Sequence, residues 1–171
     1  MARRPETFEF DPAELDRVLS RMEQMAAAQL GWINLQPAVS DDELKRPGPF
    51  AALFNRRSPQ LTLATWTASE RVRKGVTPES VGVQHSRPHR VRALLGDEGK
   101  TIPQGWKVVQ DAPRRGLVAL LPEEIDHREV LEWLLDTTVV VSPITTTGRW
   151  RAIIHWSEAV RGAGPGGQRG R

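Results

Sequence analysis

Apolar residues recur at helical spacing over two stretches of this chain and alternate at strand spacing over several shorter ones. After Asp11-Pro12-Ala13-Glu14, the residues Leu15, Val18, Leu19, Met22, Met25 and Ala26 share one face of a helix, and Gly31 closes the run. A capping Asp, a Pro at the first helical position and Glu14 three residues after the cap are helix-start chemistry, so a helix is predicted over 11–30. A second helix is predicted over 123–136. It opens on Pro122 with acids in its first turn, and Ile125, Val130, Leu131, Leu134 and Leu135 form its inner face.

Between these stretches the pattern is strand-like. Residues 32–39 read as a strand that stops at Pro37, residues 60–67 as a strand rich in Thr and Leu, and residues 81–85 as a short one. Residues 106–110 and 117–121 form a hairpin across Asp111–Gly116, where Pro113 suits a turn and Gly116 accepts a positive φ. The β-branched run 137–142 and the alternating run 150–156 complete the strands. Ser86-Arg87-Pro88 opens a shorter helix reaching Leu95, with Val91, Leu94 and Leu95 on one face. Residues 40–43 suit one helical turn, Pro47-Gly48-Pro49 an interior hinge, residues 50–54 an apolar turn of helix, and residues 71–74 a basic exposed turn.

These elements predict an α+β fold. It is one domain over 11–160, with a mixed or antiparallel sheet of about six strands and two main amphipathic helices packed on it. Residues 1–10 read as a flexible leader, with Phe8 and Phe10 able to tuck onto the domain. Residues 161–171 read as a disordered tail of Gly and Arg. A chain of 171 residues is long enough to bury its own core.

Composition narrows the compartment. With no cysteine, disulfides, thiolate metal sites and cysteine nucleophiles are excluded, which fits a cytoplasmic home. The apolar runs are short, about five residues against the roughly 20 that a membrane-spanning helix needs, and the basic start lacks an apolar segment behind it. No membrane association is expected.

Charge is segregated rather than merely positive. The net charge of +3 resides in Arg161, Arg169 and Arg171, while the preceding chain balances. Residues 1–43 and 117–136 are acidic; residues 56–74 and 84–116 are basic. Such blocks either pair with one another inside the fold or form patches on it, and they also suit an oligomer whose blocks match between subunits.

The chemistry-bearing residues give no catalytic signature. His85 and His89 have the spacing of helical metal ligands, but Pro88 lies between them, and Asp126-His127 would have to complete a set. Neither a metal nor a cofactor is expected. No serine stands in a nucleophile-elbow pattern, and the Gly-rich tail lacks the Lys-Ser/Thr of a phosphate loop. Trp32, Trp66 and Trp133 read as core. Trp106 beside Lys107, and Trp150 between Arg149 and Arg151, suit either base stacking with phosphate contacts or a strand with Trp inward and the cations outward.

The sharpest candidate is the basic group Arg87, Arg90, Arg114 and Arg115, with Lys107. Guanidinium forks pair bidentately with carboxylate and phosphate alike, so the group suits an acidic protein or nucleic acid; it also suits internal pairing with the acidic 123–136 helix. The expected function is a non-enzymatic binding or accessory protein. The alternative is a small-molecule-binding protein or enzyme with a pocket containing His85, His89, Trp106 and Asp111.

Overall fold

Alternation in the strands produces one sheet with two unlike faces. The computed structural model describes residues 4–38 and 62–157. The strands are β1 (Glu6–Phe10), β2 (Trp32–Pro37), β3 (Leu63–Thr67), β4 (Glu70–Val72), β5 (Gly75–Thr77), β6 (Ser80–Gln84), β7 (Lys107–Ala112), β8 (Gly116–Leu120) and β9 (Trp150–His155). Seven of them form one antiparallel sheet in the order β1-β9-β2-β3-β6-β8-β7, and β4 and β5 form a separate two-stranded ribbon. The helices among the described residues are α1 (Asp16–Ala28), α2 (Val91–Asp97) and α3 (His127–Val141). The α+β expectation is met, with more strands than the sequence pattern suggests.

One face of the sheet carries the core. Ile33 is the register partner of Trp66 and of Ile154, Leu35 of Ala64 and Ala152, and Val83 of Leu117. All are buried, beneath α1, α2 and α3. Helix α3 lies over β2, β3 and β6 and is flanked by α1 and α2. Trp150 is 2% exposed, so it turns inward while Arg151 faces solvent. No helix among the described residues is long and apolar enough to cross a membrane.

Several boundaries differ from expectation for identifiable reasons. Residues 6–10 are edge strand β1 rather than leader. Phe8 and Phe10 pair with Ala152 and Trp150, and Glu6 is held by Arg17 and Arg21 at 3.3 and 3.0 Å. Helix α1 begins five residues after Asp11, because the Asp11 carboxylate accepts from Ala13 N at 2.8 Å and closes a separate turn. The helix ends on Gln29 in the left-handed region (φ 54°). At Gly31 (φ +93°) a Cβ would collide with Met25 and the His155 carbonyl, which sets the close approach of β2 to β9.

Residues 137–141 continue α3 instead of forming a strand. Thr137, Thr138 and Val141 are buried on the helix, and the Thr138 hydroxyl donates to the Leu134 carbonyl at 2.6 Å. Packing overrides β-branched propensity there. The expected turn at 40–43, the Pro47-Gly48-Pro49 hinge, the 50–54 helical turn and the 161–171 tail lie outside the described residues.

Candidate functional site: an arginine-rich end of the sheet

The chain leaving β6 is tied down by its own polar groups. His85 is 4% exposed, and its Nδ1 accepts the Arg87 backbone N–H at 3.1 Å. That bond leaves the proton of a neutral ring on Nε2, which is buried without a partner. Burial pushes the His85 pKa down; Asp111 nearby opposes this, and Arg87 adds to it. The Arg87 guanidinium donates to the Val140 carbonyl at 3.1 Å, filling one of the acceptors left open at the end of α3.

The hairpin tip docks onto this segment. Arg114, at φ 61°, donates its backbone N–H to the Arg87 carbonyl at 3.0 Å. Gly116 follows at φ +105°, and a Cβ there would collide with the Val83 carbonyl, so only glycine lets β8 begin this close to β6. Asp111, one residue before the end of β7, accepts from Val91 N at 2.9 Å and Arg92 N at 3.3 Å. It caps α2 from a different element, whereas Ser86 was the expected local start. Arg90 itself is extended and supplies no side-chain cap.

Two chain segments, the start of α2 and the hairpin tip, therefore bring Arg90, Arg92, Arg114 and Arg115 to one end of the sheet, all exposed. A groove of about 410 Å³ between α2 and β7 is lined by Arg90, Arg92, Val109, Gln110 and Asp111. Among the described residues none of their guanidinium groups has a carboxylate oxygen within 4.0 Å. The acidic 123–136 segment pairs elsewhere: Asp136 takes Lys100 at 3.1 Å, and Glu132 takes Arg128 at 3.9 Å.

The remaining candidates are dispersed. Lys107 is exposed at the opposite end of β7, about 17 Å along the strand from Ala112. Trp106 is buried, edge-on to Trp133 with ring centroids 4.8 Å apart. His89 is exposed while His85 is buried, so the two imidazoles do not line one mouth. Among the described residues no group of three or more His, Asp or Glu is placed to hold a metal ion.

Two arrangements escape sequence reasoning. Glu79, immediately before β6, accepts the Trp66 indole N–H at 3.1 Å and meets His127 Nε2 at 2.9 Å. That carboxylate raises the His127 pKa, against the lowering effect of burial. Trp32, expected in the core, is 37% exposed on the sheet face away from the described helices and stacks on His155 at 4.8 Å with 8° between the ring planes. The signal for Trp32 lies in its parity, shared with Asn34 and Gln36 rather than with Ile33 and Leu35. Glu79 offers none, since its partners lie 13 and 48 residues away. Comparison with known proteins finds no matching family model, no matching curated protein and no matching solved structure.

Proposed function

We propose that this chain is a non-enzymatic binding protein that holds the phosphates of a nucleic acid at its arginine-rich end. One observation carries the reading: Arg90, Arg114 and Arg115, joined by Arg92, lie at one end of the sheet, and their guanidinium groups have no carboxylate partner among the described residues. Guanidinium groups presented from a backbone tied down this way, with Asp111 committed to capping α2, suit repeated phosphate contacts. Arg87 positions the hairpin tip through its carbonyl and is itself anchored to α3. Lys107 and the ribbon residues Arg71, Arg73 and Lys74 also lack a carboxylate partner among the described residues, so cations are spread along the sheet. A polyanion of repeating charge matches this spread better than a single acidic patch does. The absence of cysteine supports a cytoplasmic setting.

The test is fluorescence anisotropy with labelled single- and double-stranded oligonucleotides over a range of salt. Replacing Arg90, Arg114 and Arg115 together by Ala should weaken both forms and reduce the salt slope by about 0.7–0.9 for each phosphate that the variant no longer neutralises. Unchanged affinity and slope in the triple variant would refute the assignment. Displacement of the oligonucleotide by an equal concentration of an acidic peptide would make the partner a protein.

A further inference from the structure

The sheet face away from the helices carries a row of side chains set by register alone. His155 pairs with Trp32, Trp32 with Thr67, Thr67 with Ser80, Ser80 with Leu120, and Leu120 with Lys107. Paired residues project to the same face, so these six stand side by side across six strands. At one end of the row His155 and Trp32 form a parallel stack. The stack is braced from the next row along the strands: Asn34 meets His155 Nε2 at 3.5 Å and accepts the Thr65 hydroxyl at 2.9 Å. Beyond Trp32 come two small residues, then the apolar Leu120 and the exposed cation Lys107.

Among the described residues this geometry leaves a slot. Cross-strand neighbours stand about 4.8 Å apart, so the span from Trp32 to Leu120 is about 14 Å, with only Thr67 and Ser80 between them. One ring face of Trp32 is taken by His155, and its other side borders that slot. The hydroxyl side chains of Thr67 and Ser80 stand on the same face and make no side-chain hydrogen bond among the described residues. The β4–β5 ribbon leaves the sheet three residues after Thr67 and carries Arg71, Arg73 and Lys74 against Glu70, all exposed. An aromatic step, free hydroxyls, a cation beyond one end of the slot and a basic ribbon leaving from its middle match the separate demands of a base and its phosphates.

We propose that this face binds single-stranded nucleic acid. A base stacks on Trp32 above Thr67 and Ser80, and the backbone runs between Lys107 and the basic ribbon. A duplex keeps its bases stacked inside and cannot use the slot, so this face selects single strands. The inference rests on the nucleic-acid reading of the arginine end for its partner class, but different residues carry it.

The experiment is anisotropy on the full chain with a labelled single-stranded 20-mer and its duplex, with circular dichroism confirming the fold of each variant. Wild type should prefer the single strand. Trp32→Ala should lose about tenfold or more on single strands and leave duplex binding unchanged, while Trp32→Phe retains most of the affinity. Ser80→Trp, which fills the slot and keeps Trp32, should also lose single-strand binding. Equal binding by wild type and Trp32→Ala, or no effect of filling the slot, overturns the proposal while leaving the arginine end intact. If neither oligonucleotide binds wild type, the nucleic-acid reading of the arginine end fails with it.

Discussion

The two ends of β6 use polar groups in opposite ways. Before the strand, Glu79 is nearly enclosed, with 14% side-chain exposure, and serves two interior donors, Trp66 and His127; its carbonyl accepts Leu121 N at 2.9 Å. After the strand, the carboxylate of Asp111 and the guanidinium of Arg87 are taken by helix ends, and the arginines around them are left facing water. The first end uses charge to hold elements together. The second uses it to present cations from a rigid frame, which separates residues that maintain the fold from residues free to bind.

The sharpest break should come at the frame of the second end. Gly116→Ala must force a Cβ into the Val83 carbonyl at a positive φ, and should cost about 3–5 kcal/mol by urea denaturation. A variant as stable as wild type would mean that the hairpin does not press on β6 and that the arginines are not held together. Glu79→Ala should cost about 2–3 kcal/mol, because two largely buried donors lose their acceptor. Asp111→Ala removes a cap supplied from another element and should cost about 1–2 kcal/mol, with faster amide exchange at Val91 and Arg92. Exchange confined to β7 would instead place Asp111 outside the cap.

The histidines set opposing pH responses. His127 is raised above the ordinary 6.5 by Glu79, so its contribution is full below that value and lost as pH rises through the folded pKa. His85 is lowered by burial. The unfolded chain therefore takes up a proton near 6.5 that the folded chain refuses, and stability falls as pH drops below that point. Stability should peak near neutrality, with His127→Gln flattening the alkaline limb; an unchanged limb in that variant would sever the link to Glu79. The smallest effect belongs to Arg90, Arg114 and Arg115, whose joint replacement by Ala should shift stability by no more than about 0.5 kcal/mol. A larger loss would show that they hold the fold rather than serve a ligand.

Legibility follows the range of the interactions. The apolar stripes of α1 and α3, the β7–β8 hairpin and the alternation of β3 and β9 can be read directly, because side-chain period and turn chemistry are local. The end of α3 departs from the local pattern at Thr137 and Thr138, where burial against the sheet outweighs propensity. Within the arginine end, the residue types and their approximate neighbourhood are legible. The split between presenting and anchoring residues is not, since Arg87 is defined by Val140, 53 residues away, and Asp111 by the start of α2.

By itself the sequence determined which faces of its helices and strands are apolar, where the hairpin turns, and that its cations fall into blocks. These follow from side-chain chemistry repeating at fixed local periods. Only the tertiary structure decided that β9 inserts between β1 and β2, that Trp32 joins His155 on the face away from the described helices, and that Arg90 and Arg114 share an end without carboxylate partners for their guanidinium groups among the described residues. Each depends on which distant strands come into register, and register is settled by burying one whole face at once rather than by any single stretch of chain.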